Sequence, residues 1–459
     1  MSNRKARAYD LSKFDITLNS GDAKDIRDIV VAFKYYESIE TAFTRMEITV
    51  VDSVDFNLGL SGGEEVEIHI ITGPAKQGGS GGKDGKLKVK MKIYKLGDIV
   101  KNERSQMYNL YCCSPEMYNN EINKVFKAFG AGEKMKNADN IPKEICKKYL
   151  KAPGNKVKDE NFDGHSPCQF VSPSWRPVDA IAYMSNKVVW NTGKKGSNSS
   201  AQSGFLFYEN RNGYNFRAID SLTQQGEKYQ YTYIQQGNEP DEDDGGMFVI
   251  ESIQYPDKAN HLQQMRLGTY KTVTTGVSFT TPTNSATTNP GENSKGGSGG
   301  SGTIRDALVT TFSSIFNQAN TLEKAPPYSK YEDEENMPPT RQKMVVIPDL
   351  SHQASGSSPD NGTQPQNPVQ VASYATARYN LLKAVQLTIK IPGNTQMAVG
   401  EIIKLVIPAS QSKNSKRVEK DARYSGKYLI AGLTHEFGRN GMTSELVLIR
   451  DSMPKKSNK

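Results

Sequence analysis

Apolar and polar residues alternate along the C-terminal part of the chain. Four aliphatic residues between positions 385 and 391 face one way, and the residues between them are polar. Three more strands are predicted over 401–407, 428–437 and 445–449, with Pro, Gly, Asn and a basic loop between strands. A period of two bounded by turn residues is typical of half-buried antiparallel strands. The chain is therefore predicted to end in a four-stranded antiparallel unit.

The first hundred residues repeat this pattern. Strands are predicted over 33–39, 46–51, 65–71 and 86–95, each with alternating apolar positions. A few short strands cannot bury both faces as a flat sheet, and closing the sheet into a barrel removes its exposed edges. We therefore expect a small closed barrel in this part of the chain.

Helical periodicity dominates the region between the two β patterns. Apolar residues at helical spacing predict helices over 115–129, 141–149 and 177–188. The first and third begin with proline, which is favoured in the first turn of a helix. A hairpin is predicted over 205–216, with its turn at Asn212-Gly213.

A polar segment interrupts the strands that follow. Strands return from Met247 and continue over 263–273, and a segment from 284 to 367 follows whose two ends, 284–302 and 351–367, are rich in Gly, Ser, Asn or Pro. Such composition is typical of loops and linkers. One amphipathic helix is predicted inside this segment, from Ile304 to Phe316.

These patterns predict an α+β, predominantly β chain. It has two small antiparallel β-barrels, a central helical or α+β region and a flexible insertion. The predicted units are an N-terminal barrel over 1–113, a central region over 114–235 that contributes in part to the first barrel, a second barrel over 236–283 and 368–455, and the insertion over 284–367. A weak internal repeat supports the two barrels, because Gly63-Glu64 and Gly400-Glu401 both lead into a strand.

Composition and charge exclude several classes of protein. The net charge of +8 is modest for 459 residues, and acidic runs at 241–244 and 332–335 oppose it, so a dedicated duplex-DNA binder is not indicated. The four cysteines form no C-x-x-C pair and are predicted to be reduced, buried thiols. Residues 1–15 contain no apolar core of a secretory signal, and no apolar run approaches the roughly 18 residues that span a bilayer. Assembly in a reducing cytoplasm, without stable membrane association, is expected.

Catalytic motifs are missing from the sequence. Gly82-Lys83 is followed by aspartate, not by the Ser or Thr of a phosphate-binding loop. His435 has no second histidine at zincin spacing, and is predicted to be a partly buried, hydrogen-bonded residue. No catalytic, metal or cofactor residue is predicted.

Lys86, Lys88, Lys90 and Lys92 are the candidate interface residues, because they share the polar face of one predicted strand. Alternate residues on a strand lie about 6.6 Å apart, close to the spacing of phosphates along a nucleic acid. One interpretation is contact with DNA or with an acidic protein. The other is a solvated face that protects a sheet edge from aggregation. We favour the solvated face, followed by an acidic neighbouring subunit.

Several short segments follow one another in a characteristic order. They are YESI at 36–39, ITVVDS at 48–53, GEEV at 63–66, FLFYEN at 205–210, GYNF at 213–216, VQLTIKIPGN at 385–394, VGE at 399–401, YSGKYLI at 424–430, His435 and LIRDS at 448–452. In this order they resemble the baseplate hub proteins of contractile-tailed bacteriophages. The resemblance covers both ends and the middle, about half of the chain. The insertion over 284–367 has no assigned counterpart.

The resemblance implies a homotrimer in the virion tail baseplate, assembled in the host cytoplasm. Two similar barrels per chain would give a hollow ring with pseudo-sixfold symmetry. A hexameric tail tube and other baseplate proteins would stack on one face, and a trimeric spike protein on the other. The tape-measure protein and then DNA would pass through the lumen. This is a structural role that needs no cofactor and no enzyme activity.

Three alternatives stay open from the sequence. The chain could be a tail-associated cell-wall hydrolase, the hub of a type VI-like contractile injection system, or a nucleic-acid-binding protein acting through residues 86–92. The missing catalytic motifs argue against the first, and the modest charge argues against the last.

Overall fold

The computed structural model describes most of the chain. The described residues are 7–54, 56–72, 85–129, 138–164, 168, 170–190, 202–234, 248–255, 261–277, 307–327, 336–346, 368–408, 421 and 423–454. Strands account for 49% and helices for 21%, which confirms that the chain is predominantly β. The acidic runs, Ile304 and the Gly82-Lys83 dipeptide lie outside the described residues.

Seven antiparallel strands form the N-terminal β group. They are β1 (Tyr9–Thr17), β2 (Ala23–Asp25), β3 (Val30–Ser38), β4 (Arg45–Asp52), β5 (Glu65–Thr72), β6 (Gly85–Lys101) and β7 (Gln106–Cys113). They pair in the order β3-β4-β7-β6-β5-β1-β2. Their alternate residues, including Phe14, Ile48 and Ile68, are fully buried in one apolar core. The four predicted strands are confirmed, whereas β1, β2 and β7 were not predicted.

The central region mixes helices with short strands. Its elements are α1 (Pro115–Ile122), β8 (Val125–Phe129), α2 (Asn140–Lys148), β9 (Phe170–Trp175), α3 (Pro177–Ser185), β10 (Phe205–Asn210), β11 (Gly213–Ala218) and α4 (Ile219–Leu222). They enclose a second apolar core that contains Ile141, Ile181 and Phe216.

The helix predicted over 115–129 is wrong in its second half. The helix ends at Ile122, because Asn123 adopts an extended conformation, and Val125–Phe129 then pairs with β9 as a strand. Val125 and Phe129 are buried and Phe126 between them is exposed. The apolar residues that suggested one helix face therefore divide between the two faces of a strand.

The predicted hairpin over 205–216 is confirmed. Asn210 pairs with Gly213, so the turn lies at Arg211 and Asn212, one residue earlier than predicted. Gly213 has a φ of +118°, and a Cβ there would collide with the carbonyl oxygen of Lys156. A residue with a side chain at position 213 would strain the turn and push the hairpin away from the chain around Lys156.

The C-terminal β group contains the strands that alternation predicted best. Its strands are β12 (Glu227–Tyr233), β13 (Val249–Ile250), β14 (Ser252–Gln254), β18 (Val385–Pro392), β19 (Ile402–Val406), β20 (Gly426–Gly438) and β21 (Gly441–Arg450). The first of these, β12, is parallel to both β13 and β19, and the other pairs are antiparallel. A third apolar core, containing Leu387, Ile403 and Leu448, lies inside the group.

Both β groups belong to one fourteen-stranded sheet, because β20 pairs with β19 at its start and with β3 over Gly432–Phe437. The neighbouring strands β13 and β14 pair with different partners, β12 and β18. Among the described residues the strand ladders do not close either group into a separate barrel. The prediction of a β architecture with two similar parts therefore holds only in its coarser form, as two strand groups around two cores.

A small three-stranded sheet lies where strands and a flexible insertion were predicted. It contains β15 (Lys271–Val277), β16 (Ala307–Thr311) and β17 (Arg341–Val346), and three helices accompany it: α5 (His261–Leu267), α6 (Phe312–Gln318) and α7 (Pro368–Leu382). The strand predicted over 263–273 begins as helix α5, and the predicted helix over 304–316 has β16 in its first half. The predicted domain limits stay a prediction, although β15 pairs with β16 and β17 across the limit at residue 284.

One buried arginine joins four segments of the chain. Arg378 of α7 is 0% exposed, and its guanidinium lies 3.2 Å from Asp220 Oδ1 and 2.8 Å from Asp451 Oδ2. It also donates to the backbone carbonyl of Asn320 at 2.7 Å. Asp220 accepts from the Asn320 amide and from the Tyr374 hydroxyl. These bonds connect α4, α7, the chain after α6 and the end of β21.

Replacing Arg378 by methionine is expected to destabilise the fold by about 3–5 kcal/mol, because Asp220 and Asp451 lose their buried cation. Denaturant unfolding followed by circular dichroism measures the change. Arg176→Met is the matched control, since Arg176 pairs with Glu121 and Asp179 at the exposed surface. Equal unfolding midpoints for the two variants would contradict the proposed importance of the buried pair.

Candidate interaction surface

The four candidate lysines lie on β6, with their cross-strand partners on β5. Lys86, Lys88 and Lys90 are exposed and Lys92 is half-buried, so the predicted lysine face exists. Lys88 is opposite His69, Lys90 opposite Glu67, and Lys92 opposite Glu65. The structure therefore places the lysines beside a strand that carries two carboxylates.

Carboxylates of β5 pair with half of this lysine face. Lys90 Nζ lies 3.6 Å from Glu67 Oε1, and Lys92 Nζ lies 3.7 Å from Glu65 Oε1. Lys13 of β1 approaches Glu67 at 2.6 Å, and this hydrogen bond is the main reason that the pKa of Glu67 falls to about 2. Glu67 is therefore ionised at any physiological pH. The surface across β1, β5 and β6 carries mixed charge.

Mixed charge limits what this surface can bind. Exposed ion pairs contribute little to stability, but their carboxylates repel the phosphates of a nucleic acid. Tight DNA binding depends on several uncompensated cations that each neutralise a phosphate. The arrangement therefore fits a solvated face or a polar protein contact better than a DNA-binding site.

The residues examined for catalysis occupy structural positions. His435 is buried, its Nδ1 lies 2.7 Å from Ser444 Oγ, and burial lowers its pKa to about 3. It is neutral at physiological pH. The predicted hydrogen bond is confirmed, and the side chain is buried more completely than the predicted partial burial. The four cysteines are free, and burial raises the pKa of each thiol.

Neither a metal centre nor a membrane span emerges from the described part of the chain. Its His, Cys, Asp and Glu side chains include no group of three that could hold a metal ion. No helix within the same ranges combines the length and the apolar character needed to cross a membrane.

The outer side of the β8–β9 pair exposes apolar residues that the sequence analysis did not single out as a surface. Phe126 is opposite Pro173, and Ala128 is opposite Val171, so these four side chains share one face, here called the ribbon face. Phe126 is 78% exposed and Val171 is 63% exposed. Contiguous exposed apolar residues of this kind commonly mark contacts with another protein.

A second apolar surface crosses three strands of the N-terminal β group. Val51 of β4 is opposite Met107 of β7, and Met107 is opposite Val100 of β6. All three side chains are exposed, and they form what we call the hairpin face. Alternation could not indicate this face, because β7 carries apolar residues on both sides.

Two solved structures share this architecture over nearly the whole chain. The 43 kDa tail protein of prophage MuSo2 from Shewanella oneidensis is 9% identical, and the match covers 97% of this chain and 100% of that protein with a TM-score of 0.51. The tail protein from Neisseria meningitidis MC58 is 11% identical, with 97% of each chain covered and a TM-score of 0.50. This chain has the fold of these tail proteins. The resemblance seen in the sequence is confirmed at the level of the fold.

No protein-family model matches the sequence, and no curated protein matches it either. At 9–11% identity, the likeness to the tail proteins shows the fold alone.

Replacing both Lys86 and Lys88 by glutamine tests the lysine face. We expect duplex DNA binding to stay weak and its salt dependence to change little, because Glu65 and Glu67 already offset the neighbouring cations. If both lysines contacted phosphates, the slope of log K against log salt would fall by about 1.8. Lys147→Gln with Lys148→Gln, on the exposed side of α2, is the matched control. A fall in the slope for the β6 variant alone would favour DNA binding.

Proposed function

We propose that this chain is the structural hub of a phage tail baseplate. In this proposal three copies form a ring with pseudo-sixfold symmetry, which adapts a hexameric tail tube to a trimeric spike. The ring forms part of the channel for the tape-measure protein and DNA. The activity of the chain consists of assembly, and no catalytic step is involved.

The full-length likeness to two tail proteins carries the proposal. It covers 97% of this chain in both cases, so it includes both β groups and the central region together. A fold shared over such a length supports a similar architectural role, although one fold can host several functions.

The two β groups of one chain also support a ring of three. Each group has its own apolar core, and each is built mainly of antiparallel strands. Three chains with two such groups contribute six β units, which is the number needed to match a sixfold tube. We further propose that each group curls into a barrel-like unit within the assembled ring.

Exposed apolar faces are consistent with a protein that works through contacts. The ribbon face lies in the central region, and the hairpin face lies in the N-terminal β group. Burying such faces removes apolar surface from water and favours association. The mixed-charge surface around Lys86–Lys92 would add polar contacts with a neighbouring subunit.

Light scattering coupled to size-exclusion chromatography tests the oligomeric state. The proposal predicts a mass three times the 50.8 kDa of one chain. Mixing with the tail tube and spike proteins of the same tail should give a larger complex. A stable monomer that binds neither protein would contradict the proposal, and turnover of peptidoglycan by the purified chain would favour the hydrolase alternative.

Phe126→Ser combined with Val171→Ser should weaken assembly without unfolding the chain, because both side chains are mostly exposed in the single chain. Assembly is measured by light scattering and stability by thermal unfolding. Leu262→Ser is the control, since Leu262 is 74% exposed on α5, outside the ribbon face. If the ribbon variant assembled like the control, the ribbon face would have no role in assembly.

A further inference from the structure

Four segments meet at a buried polar cluster between the N-terminal β group and the central region. Thr44 lies in the turn before β4, Ser114 and Glu116 lie at the start of α1, and Lys156 lies in the 154–156 turn. Glu209 comes from β10. Both glutamate side chains are almost fully buried. The cluster therefore lies at the contact between the β10–β11 hairpin, here called the central hairpin, and the N-terminal strands. We call this contact the joint.

The charges of the two glutamates are not balanced by the one cation beside them. Lys156 Nζ lies 3.0 Å from both carboxylate oxygens of Glu116 and 2.8 Å from Glu209 Oε1. One ammonium neutralises one carboxylate, so two ionised glutamates would leave a buried negative charge. A buried unpaired charge costs several kcal/mol, and such a group usually takes up a proton instead.

The hydroxyl of Ser114 gives independent geometric support for a bound proton. Its Oγ is within hydrogen-bonding distance of Glu116 Oε2 and lies 3.2 Å from Glu209 Oε1. A hydroxyl has one hydrogen and can donate to only one of these oxygens. If Ser114 donates to Glu116, its contact with Glu209 Oε1 is attractive only when the carboxyl group of Glu209 is protonated and donates to Ser114. The other oxygen of Glu209 already accepts from the amide and hydroxyl of Thr44.

The remaining titratable groups around the cluster bring no compensating charge. Tyr35, Tyr214, Cys113 and Cys146 all interact with these carboxylates, and burial raises the pKa of each. They are neutral at physiological pH. Arg45 and Lys92 are the cations that influence Cys113; Lys92 pairs with Glu65, and no hydrogen bond or ion pair joins either cation to Glu116 or Glu209 among the described residues.

We propose that Glu209 keeps a proton at neutral pH because it is buried beside Glu116 with only one lysine between them, and that this proton stabilises the joint between the central hairpin and the N-terminal strands. The joint then weakens as the pH rises and the proton is lost. Burial is the main cause that raises the pKa of Glu209; the charge of Lys156 opposes this effect, and the charge of Glu116 adds to it. The cluster is a pH-sensitive device that is independent of the proposed hub function.

The direction of the pH dependence follows from proton linkage. Glutamates titrate near their usual pKa in the unfolded chain, whereas the folded chain keeps one extra proton to higher pH. The stability contributed by this proton is therefore fully present below the unfolded pKa, decreases as the pH rises from the unfolded to the folded pKa, and is constant above the folded pKa. The ratio of folded to unfolded chain should fall about tenfold per pH unit for each such proton.

The effect of Glu37 on the pH dependence must be measured separately from that of the cluster, because the pKa of Glu37 is also raised. It lies at the other end of the joint, where it accepts from the amides of Arg211 and Val399 and from the Tyr35 hydroxyl. Burial raises the pKa of Glu37 to about 7, and Arg211 and Tyr208 are the further titratable groups that interact with it. A Glu37→Gln variant removes its contribution and leaves the cluster intact.

Infrared spectroscopy of the full native chain at about pH 7.5 detects a neutral carboxyl by its C=O stretching band, since exposed carboxyls are ionised there. Burial also raises the pKa of Asp220, and Asp220 is unchanged in every variant. The proposal therefore predicts that the band of Glu37→Gln loses intensity when Glu209→Gln or Glu116→Gln is added. A band that is absent from Glu37→Gln, or unchanged by the second substitution, overturns the proposal.

Unfolding measured across about pH 6.5 to 8.5 is the second test, in the Glu37→Gln background, because at lower pH the buried His435 changes stability in the opposite direction. The folded-to-unfolded ratio should decrease about tenfold per pH unit while the folded chain keeps the proton of Glu209 and the unfolded chain does not, and it should level off once the folded chain loses that proton. Ser114→Ala should shift the pH at which the ratio levels off. A profile that does not change with pH in the Glu37→Gln background overturns the proposal. This test does not require the Glu209 variant to fold.

Discussion

The hairpin formed by β20 and β21 is the constraint on which the rest of the fold depends, because its two ends lie in different cores. Ile430 and Leu448 near its open end pack in the core of the C-terminal group, whereas Phe437 and Met442 near its tip pack in the N-terminal core. An irregularity in the pairing after Ile430 coincides with the change of neighbour from β19 to β3. The two β groups therefore cannot move as independent bodies without breaking this hairpin.

Polar groups fix the other contacts between the units. Glu37 connects β3 to the turn between β10 and β11 and to the chain before β19. Glu209 connects β10 to the start of α1, and Arg378 connects α7 to the end of β21. Apolar contacts tolerate sliding, but hydrogen bonds have a preferred direction and distance. Buried polar groups at these joints therefore set the orientation of the units as well as holding them together. Burying these polar groups costs desolvation free energy, so the loss of one partner strongly destabilises the fold.

Sequence patterns predicted the strands well wherever one face is buried and the other is solvated, as in β18. They failed where the environment decides the structure. Residues Val125–Phe129 carry apolar side chains that fit a helix or a strand, and pairing with β9 selects the strand. The partners of Arg378 are 158 and 73 residues away in the sequence, so no local pattern could reveal them. The candidate lysines were placed correctly, but their carboxylate neighbours depend on the register between β5 and β6.

Rigid joints and exposed apolar faces have a combined consequence for the proposed ring. A closed ring of identical chains uses two different faces of each chain, so each copy presents one face to the copy before it and another to the copy after it. Small changes in the angle between those faces would prevent closure. The shared hairpin and the buried polar joints fix that angle within one chain. In the proposed hub the ordered interior thus determines the assembly, while the surface residues supply the contacts.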